Sequence, residues 1–382
     1  MHILHVTPHL PPDQAANALL PWQLGQWAAQ SGDTIEYIAH RPRAAGAATM
    51  PGRVTWLPRR SGTIADRLLR TGSAVLGLRV WRALARALQR ADVVHVHSNG
   101  LMSELALLIS ARARKPVVLT LYGTEIWHYR PKRAFFAGPD LFTRGYRAAS
   151  AVTFYSDRLM RRAQELGLAR REMHVIYPAV SDDFAWHDED AQLEARGALS
   201  IPNRHLLLNV KRLHPLAGQR YLIEAMNDVI RALPDTRLVI CGTGPSLPEL
   251  QAVARSAGVE RHVVFAGLLD NSVIAKYCAA ADLFVLPSVL EALPTVAVEA
   301  LASGTPVISS DNPGGIELND IFGPDVSIVP REQAIPLANA ITYFLRHGRR
   351  TLPATRAAVE GMFRPEAISA QYREIYMRVR RP

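Results

Sequence analysis

Short apolar and β-branched runs recur along the whole chain, each separated from the next by a longer stretch whose apolar positions follow helical spacing. Such runs fit strands buried on both faces, and their alternation with helices predicts βα units and parallel sheets. A first series occupies residues 3–6, 35–39, 93–96, 117–121, 151–154 and 174–176. A second occupies 205–210, 237–241, 263–265, 283–286, 307–309 and 326–329. Between them, 181–196 is polar and acidic, with Asp182, Asp183, Asp188, Glu189, Asp190 and Glu194 and few core candidates, and reads as a linker. Apolar spacings of three and four return in Ile368, Tyr372, Ile375, Tyr376 and Val379, which predicts a helix over 365–379 that crosses back to the first domain.

The expected fold class is therefore α/β, with two doubly wound, Rossmann-like domains facing a cleft. Their expected bounds are 1–185 and 186–364, followed by the C-terminal helix within 365–382. A length of 382 residues agrees, being more than one core of ordinary size fills. Apolar residues make up 48% and charged residues 20%, without low-complexity tracts, which excludes a disordered chain. The sequence has no signal-peptide pattern and no apolar run of transmembrane length, so a cytoplasmic protein is expected. Cys241 and Cys278 lie in apolar contexts without metal-ligand spacing and suit a reducing compartment.

The strongest chemical signal follows the apolar run that ends at Leu286. A turn containing Glu291 leads into a helix with Pro294 at its expected first position and Glu299 in its second turn. Ligands of doubly wound sheets bind at the carboxyl ends of strands, and the N–H groups of Ala292, Leu293, Thr295 and Val296 with the helix dipole suit a diphosphate. A carboxylate accepts paired hydroxyl hydrogen bonds, so Glu291 and Glu299 both suit a sugar or ribose diol. The bland reading, a solvated loop residue and an ordinary helix residue, stays open on spacing alone.

Glu291, the seven residues after it, Glu299 and the later Gly304-Thr-Pro-Val307 resemble glycosyltransferase family 4. The resemblance extends over nearly the whole chain, through Gly242 and Gly244 after one strand, Asp282-Leu-Phe-Val-Leu-Pro-Ser288, and Pro313-Gly-Gly-Ile-Glu317. It implies a retaining, metal-independent GT-B enzyme that takes a sugar from a nucleotide diphosphate donor and needs no cofactor. By the same resemblance Glu291 contacts the transferred sugar, Glu299 the ribose, and Gly314 and Gly315 lie beside the donor phosphates. Arg212 stands at the family's diphosphate clamp, where a guanidinium offsets charge on the departing diphosphate.

Three places depart from the family pattern. The clamp lysine position is Ala217, leaving Lys211 or His214 to replace its charge. The first-loop glycine pair is Ala15-Ala16, and the usual His-Gly on the acceptor side is Tyr122-Gly123. Tyr122 still donates a hydrogen bond but is a poor proton acceptor at neutral pH. Two other classes fit parts of this pattern: a noncatalytic nucleotide-sugar-binding scaffold and a GT-B nucleotide-sugar epimerase. Sugar transfer to an acceptor separates the first from an enzyme, and interconversion without acceptor identifies the second.

Metal chemistry has little support. The single Asp-x-Asp, Asp188-Glu-Asp190, lies in the polar stretch without a preceding strand. His95 and His97 share a strand face but lack a third ligand at metal spacing, and read as core or cleft-lining residues.

Charge changes the picture once more. Residues 1–185 hold 24 Lys and Arg against 13 Asp and Glu, whereas residues 186–382 are close to neutral. Arg79, Arg82, Arg86 and Arg90 fall on one helical stripe, with Trp81, Leu84 and Leu88 expected on the other side. Arg67, Arg70, Arg130, Lys132, Arg133, Arg144 and Arg147 add to the same field. No nucleic-acid recognition motif is present. The expected partners are a nucleotide-sugar donor, a lipid-linked or envelope glycan acceptor and an anionic membrane surface, with the protein peripheral on the inner membrane face. An ordinary solvated helix face is the plainer alternative.

Overall fold

The structure, a computed structural model, describes residues 1–13, 16–42, 46, 48–58, 71–127, 129 and 140–380. The chain divides into two compact units, Met1–Tyr177 with Ile368–Pro382, and Pro178–Ala367.

The first unit contains β1 (His2–Thr7), α1 (Ala16–Gln30), β2 (Thr34–His40), β3 (Arg53–Leu57), α2 (Thr71–Ala87), β4 (Val93–His97) and α3 (Leu101–Arg112). It continues with β5 (Val117–Leu121), α4 (Thr124–Trp127), α5 (Leu141–Ala148), β6 (Ala151–Phe154), α6 (Asp157–Ala163) and β7 (Met173–Val175). The seven strands form one parallel sheet in the order β3-β2-β1-β4-β5-β6-β7. Strand order reverses between β1 and β4, which makes their carboxyl ends the switch point of this sheet. Every residue of β4, β5 and β6 is buried, as an apolar run covered on both faces requires. β3 is the strand that the apolar pattern misses. It lies at the sheet edge, and only Leu57 of its residues is buried, so no continuous apolar run marks it.

The second unit contains α7 (Glu189–Ala198), β8 (His205–Val210), α8 (Gln219–Ala232), β9 (Thr236–Cys241), α9 (Leu247–Ser256), β10 (Val263–Gly267), α10 (Asn271–Ala280) and β11 (Leu283–Leu286). After these come α11 (Thr295–Ala302), β12 (Val307–Ser310), α12 (Pro313–Phe322), β13 (Val326–Val329), α13 (Ala334–His347) and α14 (Pro353–Met362). Its six-stranded parallel sheet has the order β10-β9-β8-β11-β12-β13, with the reversal between β8 and β11. Leu207, Leu222, Met226, Leu238, Leu283 and Ile341 are among the buried residues of its core.

The stretch read as a linker contains α7. Asp188 caps the helix by accepting from the Ala191 N–H at 2.9 Å. Gln192 and Arg196 are buried and donate to the carbonyls of Ala280 and Ala281 at the end of α10, and Arg196 also pairs with Asp282 at 2.8 Å. Arg350 completes this cluster through the carbonyls of His187, Ala281 and Ser303 and the Thr305 hydroxyl. Cations at helix carboxyl termini are favourably placed against the dipole and the unpaired carbonyls. Hydrogen bonding rather than an apolar stripe docks α7, so the helix is invisible to apolar periodicity.

The last helix, α15 (Pro365–Arg380), buries Ile368, Tyr372, Ile375 and Tyr376, and from Ile368 onward it belongs to the first unit. Among the described residues no helix is long and apolar enough to cross a membrane.

Candidate active site

In the second unit the residues singled out above gather at the carboxyl ends of β8, β9, β11 and β12, around the strand-order switch point. Lys211 and Arg212 follow β8, and the Lys211 Nζ lies 2.6 Å from Glu291 Oε1 after β11. The Arg212 side chain is exposed, whereas Ala217, at the clamp-lysine position, is buried in a short turn. His214 caps that turn, its Nδ1 accepting from the Leu216 N–H at 3.3 Å, which occupies the imidazole locally. Of the two residues that could replace the clamp lysine, Lys211 is therefore the one paired with a site carboxylate.

Pro294, the expected first helical position, stands instead at the N-cap of α11, so the helix starts one residue later than expected, and no side chain caps it. Its ψ of 100° is extended, and helical geometry begins at Thr295. Ala292 precedes it in the turn, and Leu293 is buried beneath. Glu299 retains some accessible surface, yet desolvation of its carboxyl by burial raises its pKa to about 7. No described residue hydrogen-bonds its carboxylate.

The glycines bring loops together. Gly242, at a φ of 133°, has no room for a Cβ because the Lys211 carbonyl oxygen occupies it, and Gly244 meets the Leu213 carbonyl in the same way. Leu213 donates its N–H to the Thr243 carbonyl at 3.0 Å, which closes the two βα loops on each other. These two glycines thus position Lys211 and Arg212 through backbone packing. Gly314 packs on Glu291 Cβ and the Ala292 carbonyl and donates its N–H to the Glu291 carbonyl at 3.1 Å, and Gly315 packs on Ser309 and Ser310. Asn312 accepts from the Gly315 N–H at 3.0 Å and donates to the Ser288 carbonyl at 2.9 Å, tying α12 to the β11 loop.

In the first unit, Tyr122 follows β5 directly and Ala16 opens α1 as an exposed residue. Ala15, Arg67, Arg70, Arg130, Lys132 and Arg133 lie outside the described residues. Glu125, which sequence reasoning did not single out, is buried and accepts from the Ser98 hydroxyl at 2.7 Å and the Gly123 N–H at 2.8 Å. It ties the loop after β4 to the loop after β5. The one advance signal was its place two residues past Gly123.

The third histidine partner that sequence spacing lacked comes from β1. Register places His5 beside Tyr37 of β2 and His95 of β4, and places His97 beside Thr120 of β5. His5, His95 and His97 offer ring nitrogens within 4.8 Å of one another. His5 Nδ1 lies 3.0 Å from His97 Nε2, and His97 Nδ1 lies 2.8 Å from the Tyr122 hydroxyl. His95 uses both nitrogens, at 2.6 Å from the Tyr376 hydroxyl and 2.7 Å from the Thr120 hydroxyl. Five of the six nitrogens are thus engaged, which describes a hydrogen-bonded network better than a cage for a metal ion. Burial lowers the His5 pKa to about 3 and, with the neighbouring imidazoles, holds His95 and His97 well below their usual value. All three rings are neutral at physiological pH.

The basic stripe is altered in two respects. Arg79, Arg82 and Arg86 are exposed, but Arg90 reaches both oxygens of buried Glu36 at 2.9 Å and serves as its counterion. Trp81, expected on the core side, is 53% exposed beside Leu78 at 48%, and Val80, Leu84, Ala87 and Leu88 fill the core instead. The surviving surface therefore combines three arginines with two large apolar side chains. Asp188 and Asp190, the Asp-x-Asp carboxylates, sit at the start of α7 away from any strand end.

Two parallel doubly wound sheets with their singled-out residues at strand carboxyl ends define a GT-B fold. Sucrose-phosphate synthase from Thermosynechococcus elongatus is similar, with a TM-score of 0.78 and 21% identity over 99% of each chain. So is HepE of Anabaena, solved in complex with UDP, with a TM-score of 0.74 and 18% identity over 99% of this chain and 100% of that one. The profile of Glycosyltransferase Family 4 matches residues 22–184, and that of Glycosyl transferases group 1 matches residues 192–358. The GDP-mannose-dependent alpha-(1-6)-phosphatidylinositol monomannoside mannosyltransferase of Mycolicibacterium smegmatis is 32% identical over 66% of this chain and 67% of its own. TuaC of Bacillus subtilis, named for teichuronic acid biosynthesis, is 31% identical over 77% of this chain and 68% of its own. The chain belongs to the group 1, family 4 glycosyltransferases, and its activity is glycosyl transfer.

Proposed function

We propose that the protein moves a hexose from a UDP- or GDP-sugar to a lipid-linked or envelope glycan acceptor at the inner membrane face, retaining anomeric configuration and using no metal ion. The observation that carries this reading is the Lys211–Glu291 pair beside the uncapped start of α11, with Glu299, whose carboxylate no described residue hydrogen-bonds, about one turn further on. Arg212, Lys211 and the N–H groups at Thr295 offset the charge that grows on the departing diphosphate, work that a divalent cation does in other transferases. Glu291 exchanges its lysine partner for hydroxyls of the donor sugar as the phosphates draw Lys211 toward themselves. Glu299 accepts the ribose diol. Tyr122 donates a hydrogen bond on the acceptor side, to which Gly123 and Ala16 also belong.

The membrane part of this reading rests on the exposed Leu78, Arg79, Trp81, Arg82 and Arg86 surface. Apolar side chains beside arginines suit an anionic interface. Its other support is a relative whose name specifies a phosphatidylinositol-based acceptor.

The replacement of the clamp lysine is tested by comparing the affinity of UDP and GDP for the parent, Lys211→Ala and His214→Ala. Weakening of about tenfold in Lys211→Ala alone is expected. Equal weakening in both variants, or in His214→Ala only, would remove Lys211 from that role.

A further inference from the structure

With its imidazoles neutral, the row from His5 through His97 to Tyr122 has only two ways to place its protons. Each neutral imidazole carries one N–H, and the 3.0 Å contact between His5 Nδ1 and His97 Nε2 needs one hydrogen between the two nitrogens. In the first arrangement His5 donates from Nδ1 to His97 Nε2. The His97 proton is then on Nδ1 and is donated to the Tyr122 oxygen, 2.8 Å away. In the second, His97 donates from Nε2, the His5 proton moves to Nε2, and His97 Nδ1 accepts the Tyr122 proton.

The two arrangements differ at the far end of the chain, at His5 Nε2. That atom is buried with no hydrogen-bond partner among the described residues. The second arrangement strands an N–H donor there, whereas the first leaves only a lone pair, and orphaned buried donors are the rarer and costlier defect. His5 is held in place by its stacked contact with Tyr37, ring centroids 5.4 Å apart, and by its pairing with β2 and β4. Exchange between the arrangements moves every proton in the row together.

We propose that His5 and His97 are positioning residues, both protonated at Nδ1, that fix Tyr122 as a hydrogen-bond donor toward the ligand. With its oxygen already receiving the His97 N–H, the Tyr122 hydroxyl has no described protein acceptor for its own proton. The substrate group it fits is an acceptor-type oxygen, such as a sugar hydroxyl or ring oxygen. Tyr122 is partly accessible at the carboxyl end of β5, and its ring is held edge-on to Tyr155 at 4.6 Å. The inference rests on the placement of Tyr122 beside the acceptor made under Proposed function.

Long-range 1H–15N correlation on the full chain labelled with 15N-histidine reads the tautomers without any substitution, and single His5→Gln and His97→Asn variants assign the two rings. Nδ1–H patterns on both His5 and His97 are expected. An Nε2–H pattern on either ring, or an imidazolium, overturns the proposal. Transfer kinetics give the second readout. Tyr122→Phe and His97→Leu should each lower kcat/KM by about tenfold. His97→Asn, whose amide replaces the Nδ1–H donor, should recover most of that loss. Parental rates in Tyr122→Phe alongside the expected tautomers would remove Tyr122 from the acceptor site while leaving the proton arrangement established. Failure of His97→Asn to outperform His97→Leu would overturn the donor role of His97.

Discussion

The two strand-end sites are built on opposite electrostatic plans. After β8 and β11 the second unit gathers formal charge: a lysine paired with a glutamate, an exposed arginine, and a carboxylate with no described partner. Within β1 and β4 and directly after β5 the first unit gathers neutral rings and hydroxyls in a row that runs from His5 to Tyr122 and is overlaid by Tyr372 and Tyr376. Both sheets reverse strand order at these places, so topology alone predicts a ligand in each. The two sets of side chains suit different work: formal charge suits a diphosphate that gains negative charge, and a neutral hydrogen-bonded network suits orientation of hydroxyls.

The sharpest way to break this contrast is to remove the exposed Arg212 guanidinium. Arg212→Ala should lower kcat by roughly 100- to 1000-fold, measured as sugar release from the donor with acceptor present, if the guanidinium acts as proposed on the leaving group. A loss of the same size is not expected in the neutral site, where Tyr122→Phe removes one hydrogen bond.

Next in size is a purely structural prediction. Arg350, 9% exposed, satisfies carbonyls at the ends of α10 and α11, and desolvation by burial lowers its pKa to about 10. Arg350→Ala should lower the unfolding free energy by about 3 kcal/mol in urea titrations, leaving several buried acceptors unpaired.

Glu299 sharpens the comparison through pH. Its carboxyl is raised from 4.5 to about 7 in the folded protein. Folding therefore favours the protonated form, and the ionised group destabilises the protein progressively as pH rises from 4.5 to 7, then by a constant amount above that. Glu299→Gln should match the parent at pH 4 and exceed its stability at pH 8, by at most about 3 kcal/mol. Thermal melts across that range, without nucleotide, provide the check.

The smallest effect per residue belongs to the basic helix. Arg79→Glu/Arg82→Glu/Arg86→Glu should reduce sedimentation with anionic vesicles at low salt, at roughly 1 kcal/mol per charge replaced, and the parent's binding should weaken as salt is added. Equal, salt-insensitive binding by parent and variant would mean that this face is merely solvated.

Much of the fold was legible because parallel strands covered on both faces must be apolar throughout. The runs at 93–96, 117–121 and 283–286 fall within or coincide with β4, β5 and β11. Glu291 and Glu299 were legible because their spacing is local. What escaped depends on contacts distant in sequence: His5 meets His97 only through the β1–β4 pairing, and Lys211 meets Glu291 only because β8 adjoins β11. The helix α7 escaped because Gln192 and Arg196 dock it by hydrogen bonds, and Trp81 was misplaced because Val80 takes the core position that spacing had left open. Gly242 and Gly244 stood out in the sequence only through the family resemblance, and their immediate role is loop-on-loop packing.

The central claim is that the charged site of the second unit holds a nucleotide diphosphate sugar through Arg212 and Glu299. Isothermal titration of UDP, GDP and their hexose conjugates into the parent, Arg212→Ala and Glu299→Ala tests it directly. The account predicts binding of conjugates of one base, weakened at least about tenfold in each variant, since each removes a charge-assisted contact. Parental affinity in both variants, or no binding of any nucleotide to the parent, would contradict it.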